Sequence, residues 1–316
     1  MYVSLTKEIV QSILGSANAG DSYLHIDSYT GITNEAAELL GQYSGDVSIA
    51  GLTGLSVRSA RALAGIDSLF LKITSLDDEL AAALGVFKSS LGLDELTTLS
   101  ESAAALLPKN CEVLSLCGLT AVSDPVAAFL SLHNGGLLLD GLTCPSDTVL
   151  RSLARHSGIL SLGGLTDISD EQAAILVIHC GDLYLDGLTT LPDSVAEHLG
   201  HHQGLLALSG IENLSDTAAS SLAKCRGGLM LSGLKAISDR TAEIFSRHEW
   251  DLHLDGIQSL SDNAATFLSD HESLISLKGL TGISEAAAEA FARRGSDSTC
   301  FSEPAAKLIE KKRLRG

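Results

Sequence analysis

Histidine is the residue type whose spacing in this chain most suggests chemistry. A row of imidazoles returns every 23 residues, just past successive helical patterns. The row consists of His133, His156, His179, His202, His248 and His271, and Cys225 fills its gap. Imidazoles bind transition metals, and their protonation near pH 6.5 can sense acid. They also hydrogen-bond to the last carbonyl groups of a helix, where their positive form suits the helix dipole. We favour this second role and predict that the row holds no metal.

A second histidine group has the i, i+3, i+4 spacing of a metal grip on one helical turn: His198, His201 and His202. No carboxylate lies at His-Glu-x-x-His spacing, and His202 already belongs to the row. The phosphate-cradling, dinucleotide-binding and nucleophile-elbow glycine motifs are also missing from the sequence. The sequence therefore predicts a protein that is not an enzyme and that has no cofactor and no metal site.

The elements that position these side chains come from an internal repeat. A pattern of the form Leu-x-Leu-x-Gly-Leu returns twelve times, for most of the length every 23 residues. The glycine position falls at Ser28, Gly51, Ile73, Glu95, Gly118, Gly141, Gly164, Gly187, Gly210, Gly233, Gly256 and Gly279. A fixed period in this range indicates a solenoid of stacked repeats.

Each repeat predicts a strand, a turn and a helix. Leu160 and Leu162 are two residues apart, which places both on one face of a strand. Ser169 suits a helix N-cap, Asp170 suits the positive helix end, and Gln172 fits a capping box. An alanine and, three residues later, a large apolar residue then share the helix face that packs toward the strand leucines.

Residues 164–170, Gly-Leu-Thr-Asp-Ile-Ser-Asp, carry a family resemblance. This stretch is similar to the cysteine-containing subclass of leucine-rich repeat proteins, although Leu165 stands where that subclass has Cys or Asn and the 23-residue period is shorter. The resemblance implies an α/β fold: a leucine-rich repeat solenoid of about 12 repeats. Its curved parallel sheet would form the concave side, and its short helices would form the convex side.

The ends of the chain depart from the repeat and predict caps. We expect a capping helix over residues 1–22, the solenoid over residues 23–292, and a C-terminal cap with a basic tail over residues 293–316. The tail carries Lys311, Lys312, Arg313 and Arg315, cations that suit the negative end of a helix.

Composition restricts the classes of partner. The net charge is −18, so a phosphate backbone is a poor partner and a basic or neutral protein is a better one. No apolar run approaches the roughly 18 residues of a membrane span. The six cysteines do not form Cys-x-x-Cys pairs and are expected to be free thiols in a reducing compartment. We therefore expect a cytoplasmic monomer that binds neither nucleic acid nor membrane.

Two positions of each repeat face outward from the predicted strand: the residue between the strand leucines, and the residue before the glycine position. Large apolar residues bounded by acidic ones at these positions are typical of a protein-binding surface. Random sequence drift at solvent-exposed strand positions explains the same pattern, and this alternative stays open. A calcium row is excluded, because carboxylates on alternate strands lie about 10 Å apart. The predicted partner-binding residues are Phe70, Asp94, Leu138, Asp140, Tyr184, Asp186, Met230, His253 and Asp255.

These observations predict a non-enzymatic scaffold or inhibitor that engages a partner protein through the concave face. Two alternatives remain: the substrate-recognition component of a larger modifying complex, and a structural or self-assembling repeat protein.

Overall fold

The computed structural model describes residues 4–16, 23–43, 46–294 and 299–314. They form two compact units, Met1–Ser161 and Leu162–Gly316. In each unit, short parallel strands alternate along the chain with short helices. The predicted α/β leucine-rich repeat solenoid is confirmed by this alternation.

In the first unit, every strand from β4 to β9 pairs in parallel with the repeat strand before it, starting from β2, and β1 pairs with β3. The strands are β1 (Ser4–Leu5), β2 (Tyr23–Ile26), β3 (Gly31–Ile32), β4 (Asp46–Leu52), β5 (Ser68–Leu71), β6 (Ser90–Gly92), β7 (Val113–Ser115), β8 (Gly136–Leu138) and β9 (Leu160–Ser161). The helices are α1 (Lys7–Ser16), α2 (Asn34–Leu40), α3 (Val57–Ala62), α4 (Asp78–Leu84), α5 (Glu101–Leu106), α6 (Asp124–Leu130) and α7 (Asp147–Leu153).

In the second unit, consecutive strands from β10 to β15 pair in parallel. The strands are β10 (Leu183–Tyr184), β11 (Leu206–Ala207), β12 (Leu229–Met230), β13 (Leu252–His253), β14 (Ile275–Leu277) and β15 (Thr299–Phe301). The helices are α8 (Asp170–Leu176), α9 (Asp193–Leu199), α10 (Asp216–Leu222), α11 (Asp239–Phe245), α12 (Asp262–Ser269), α13 (Glu285–Ala292) and α14 (Glu303–Arg313).

The pairing register reproduces the sequence period. Leu183 pairs with Leu206, Leu206 with Leu229, and Leu229 with Leu252. Equivalent leucines therefore lie side by side, and the residues between them form rows on the opposite sheet face. The strand leucines and the small and large apolar positions of the helices are buried together, as the repeat pattern predicts.

Serine hydroxyl groups begin most of the helices. Each accepts the backbone N–H three residues later, which satisfies one free donor of the first turn. The capping box of Ser169 and Gln172 is present as predicted. These N-caps are Ser56, Ser100, Ser123, Ser146, Ser169, Ser215, Ser238, Ser261 and Ser284.

The N-cap hydroxyl groups also link neighbouring repeats. Ser215 donates to Asp193, the first residue of the preceding helix, over 2.5 Å, and Ser238 donates to Asp216 over 2.7 Å. Each hydroxyl therefore serves its own helix as acceptor and the previous helix as donor. The Ser-Asp pair that recurs at the helix starts stacks repeats as well as capping helices.

The recurring glycine lets the turns of adjacent repeats approach closely. A Cβ atom on Gly233 would lie 2.0 Å from the carbonyl oxygen of Ser209 in the preceding repeat. Gly51 is required for a second reason, because its φ of +113° is unfavourable for residues with a side chain.

The two predicted caps contain regular structure within their described residues. The N-terminal cap has β1 followed by α1, and residues 1–3 and 17–22 lie outside the described residues. The C-terminal cap adds β15 to the parallel sheet, beyond the predicted end of the solenoid at residue 292, and the ring of Phe301 packs edge-on against Phe291 at 4.9 Å. The last turn of α14 carries Lys311, Lys312 and Arg313, whereas Arg315 lies outside the described residues.

Candidate interaction surface

The predicted partner-binding residues lie on the sheet face, by which we mean the side of the strands turned away from the core leucines. The structure does not bring them into one cluster, because they belong to separate repeats of both units. Their side chains are exposed or partly exposed throughout: Phe70, Asp94, Leu138, Asp140, Tyr184, Asp186, Met230, His253 and Asp255.

The aspartates of the sheet face are engaged within the protein. The carboxylate of Asp94 accepts the hydroxyl of Ser115 over 2.5 Å and the backbone N–H of Cys117 over 3.0 Å, both in the next repeat. Asp255 makes the same pair of contacts with Ser276 and Lys278, over 2.6 and 2.9 Å. These charge-assisted hydrogen bonds join successive turns.

The other two aspartates make part of this arrangement. Asp140 accepts the hydroxyl of Ser161 over 2.6 Å, and Asp186 accepts the backbone N–H of Ser209 over 2.7 Å. Sequence reasoning assigned these carboxylates to partner binding, whereas the structure gives each a bond between repeats. The signal was present in the sequence, because serine follows Asp94, Asp140 and Asp255 by 21 residues.

Large side chains occur where the aspartate is missing. Twenty-one residues before Leu138, Tyr184, Met230 and His253, the aspartate position holds Cys117, Gly163, Ser209 and Ser232 respectively. In these repeats, a strand position that follows an aspartate carries a small residue, which is serine at three positions and alanine at Ala207, whereas a position without that aspartate carries a bulky side chain. This pattern matches the small and large residues along the sheet face from Ser115 to Ser276.

Tyr184 and Met230 form the apolar patch of the second unit. Tyr184 pairs with Ala207 across the sheet, and Ala207 pairs with Met230, so the two large side chains flank the small one. Ala207 is fully buried between them. The small residues at the equivalent positions of other repeats are also buried: Ser115, Ser161 and Ser276. Burial, followed by the negative charges of Asp182 and Asp186, raises the pKa of the Tyr184 hydroxyl.

Phe70 forms the apolar feature of the first unit. Its side chain is 38% exposed, and its ring lies over Gly92, where a Cβ atom would meet the ring at 2.2 Å. A shallow hollow of about 200 Å³ opens beside it, lined also by Ala50, Lys72 and Glu95. The hollow lies where the repeat glycine Gly51 is followed by two repeats that carry Ile73 and Glu95 in its place.

The histidine row is part of the core. All six rings are at most 2% exposed and form what we call the histidine column. His133, His248 and His271 each have Nδ1 at 3.2 Å from a carbonyl oxygen near the end of the preceding repeat's helix, where the N–H donates. Cys225 replaces the imidazole in the same way, because its thiol donates to the carbonyl of Leu199 over 3.3 Å.

One part of the predicted role of this row is wrong. The carbonyl partners do lie near helix ends, in the preceding repeat, but the positive form that we expected to suit the helix dipole is disfavoured because the column is buried. Burial lowers the pKa of these imidazoles below the ordinary value of 6.5, which favours their neutral form. This shift applies to His133, His156, His202, His248 and His271.

Within the described residues, no group of three or more histidine, cysteine or acidic side chains has the arrangement of a metal site. His198 lies in the last turn of α9, and His201 is exposed beside the buried His202. Over the described part of the chain, no helix is long and apolar enough to cross a bilayer.

Comparisons with known proteins return leucine-rich repeat structures. The leucine-rich repeat protein LIC12759 of Leptospira interrogans is similar over 90% of this chain and 74% of its own, with 20% identity and a TM-score of 0.47. The leucine-rich repeat-containing protein LegL7 of Legionella pneumophila is similar over 100% of this chain and 98% of its own, with 13% identity and a TM-score of 0.48. No protein-family model and no curated protein matches the sequence. The 23-residue period, the parallel strands and the stacked short helices give this chain a leucine-rich repeat fold.

Proposed function

We propose that this protein is a non-enzymatic binding scaffold that engages a partner protein through the sheet face. The observation that supports this function is the set of bulky apolar side chains that remain partly exposed there. Leu138, Tyr184 and Met230 each pair with a small residue on a neighbouring strand, and Phe70 borders a hollow. Apolar anchors on a rigid surface are the usual centre of a protein interface.

The charge around these anchors favours a basic or neutral partner. Asp140 and Asp186 are exposed beside Leu138 and Tyr184, and the chain as a whole carries a charge of −18. Their hydrogen bonds hold these carboxylates in fixed positions without removing their charge. An acidic surface of this kind accelerates association with a basic protein at low salt.

Tyr184→Ala tests the proposal directly. A partner is captured with the intact chain and purified, and its dissociation constant is then measured by calorimetry. Loss of an aromatic anchor should weaken binding about 30-fold, which corresponds to about 2 kcal/mol. Glu197→Ala, at an exposed position of α9, is the matched control and should leave the affinity unchanged.

Circular dichroism should show that both variants remain folded, because Tyr184 lies outside the leucine core. An affinity that falls with Glu197→Ala and not with Tyr184→Ala would place the interface on the helices. Concentration-dependent light scattering of the pure chain, with no partner retained, would favour self-assembly instead.

A further inference from the structure

We propose that the histidine column is an acid-sensitive element, which opens the repeats between His133 and His271 when the pH falls below about 6.5. This device is independent of what the sheet face binds. Its basis is the burial of six imidazoles in the core of an otherwise apolar solenoid.

Neighbouring rings of the column lie close together, so protonating both rings of a pair costs electrostatic free energy. His133 stacks on His156 at 5.8 Å between ring centroids, His179 on His202 at 6.2 Å, and His248 on His271 at 6.3 Å. The planes of each pair lie within 13° of parallel. A proton on one ring therefore raises the cost of a proton on its neighbour, since both rings are buried.

In the first unit, backbone groups surround the two rings. His133 donates to the carbonyl of Pro108, and Nε2 of His156 lies 2.9 Å from the carbonyl oxygen of Gly135 and 3.1 Å from that of Ile159. The charged group that faces His133 most directly is the other imidazole. Carbonyl groups favour the protonated ring, but burial outweighs them at both positions.

In the second unit, ionisable groups face the column from the strand side and from the next repeat. The Asp182 carboxylate lies near His202, and the Glu249 and Asp251 carboxylates lie near His248. The Arg294 guanidinium lies near His271 and opposes its protonation, in addition to burial and the adjacent His248. The carboxylates offset burial only in part, because the pKa values of His202 and His248 are still lowered.

The repeats that precede His133 carry the matching apolar column. Ile66, Phe87 and Cys111 lie three or four residues before the first strand leucine, as the histidines do, and all three are buried. Burial raises the pKa of the Cys111 thiol to about 11 and that of the Cys225 thiol to about 12, so neither changes charge near neutrality. Acid sensitivity is therefore confined to the histidine-bearing repeats.

Linkage fixes the direction and the pH range. The pKa of a buried imidazole is lower in the folded chain than in the unfolded chain, so unfolding takes up protons. The folded chain keeps its full stability above about pH 6.5, where the imidazoles are neutral in both states. It loses stability as the pH falls from there through the lowered pKa values. Most carboxylates titrate near pH 4, so the range between about pH 6.5 and 5 reports on histidine.

Urea unfolding followed by hydrogen exchange, at pH 7.5, 6.5 and 5.5, tests the proposal on the full chain. As the pH falls, the opening constant of residues 162–294 should rise. Each buried imidazole that protonates on opening should contribute a factor of about ten for each unit of pH decrease. Residues 46–94 should show no comparable change. Equal opening constants at pH 7.5 and 5.5 in residues 162–294 would overturn the proposal.

The double variant His248→Asn with His271→Asn removes two titrating groups and keeps an N–H donor for the carbonyls of Ala223 and Phe245. For each unit by which the pH falls, the opening constant of this variant should rise by a factor about 100 times smaller than in the parent. His198→Asn with His201→Asn changes histidines outside the column and should retain the parental dependence. A parental dependence in the first variant would contradict the proposal.

Should the first variant fail to fold, NMR titration of the parent decides the matter. Column imidazole resonances should stay at their neutral positions until the repeats open. Titration of the buried rings near pH 6.5 in a chain that remains folded would overturn the acid-sensitive element.

Discussion

The early repeats of the first unit and the repeats of the second unit follow the same core pattern but differ in regularity. Strand β4 has seven residues and a register shift, and β5 has four, whereas β10 to β13 have two each. Ile73 and Glu95 replace the repeat glycine in the first region. The second region keeps glycine in every turn and stacks backbone directly on backbone. The difference shows that regular stacking constrains the turns tightly, while the early repeats accept larger residues in place of the glycine.

The same comparison explains the histidine column. Phe87 in the first region and His248 in the second occupy equivalent core positions of their repeats. An imidazole is tolerated there because a carbonyl group near the end of the preceding helix accepts its Nδ1–H, so the buried donor is satisfied. Cys225 shows that a thiol meets the same requirement.

The largest expected contrast between the regions concerns glycine. Gly233→Ala places a Cβ atom 2.0 Å from the Ser209 carbonyl oxygen and should lower the free energy of unfolding by about 3 kcal/mol. Gly54→Ala, in the first unit, meets nothing within 4 Å and should change it by less than about 1 kcal/mol. Urea denaturation measures both, and equal losses would show that the close approach to the Ser209 carbonyl does not set the cost at Gly233.

A smaller effect is expected when a buried histidine is introduced into the first region. Phe87→His should cost about 1–3 kcal/mol at pH 7.5, because it buries a polar ring without an arranged partner. It should then lose up to about 1.4 kcal/mol more for each pH unit below about 6.5. Thermal unfolding of the first unit at pH 7.5 and 5.5 measures this. A variant whose stability does not change with pH would mean that this position does not exclude a charged imidazole.

The smallest contrast concerns the sheet-face aspartates. Asp94→Ala removes the acceptor of both Ser115 and Cys117 and should cost about 1–3 kcal/mol, whereas Asp186→Ala removes the acceptor of the Ser209 backbone N–H and should cost about 1 kcal/mol. Chemical denaturation compares the two. A neutral Asp94→Ala would return this carboxylate to the set of candidate partner contacts.

The sequence predicted the fold because period, strand leucines, N-cap serines and helix alanines all repeat in one register. It predicted less of the surface. Asp94 was assigned to a partner because one repeat, read alone, does not show that its carboxylate reaches Ser115 in the next. For the same reason, it did not show that the carbonyl bound by His248 belongs to the preceding repeat. Contacts between repeats depend on pairs about 21 to 26 residues apart, which become apparent only when the repeats are stacked.

Photo-cross-linking tests most directly the central claim that the sheet face binds a protein. The photoreactive residue p-benzoylphenylalanine replaces Phe70, Tyr184 or, as a helix-side control, Glu197, and each chain is irradiated with the purified partner. We expect cross-linked product from Tyr184, from Phe70 or from both, and none above background from Glu197. Product from Glu197 with none from either sheet-face position would contradict the account.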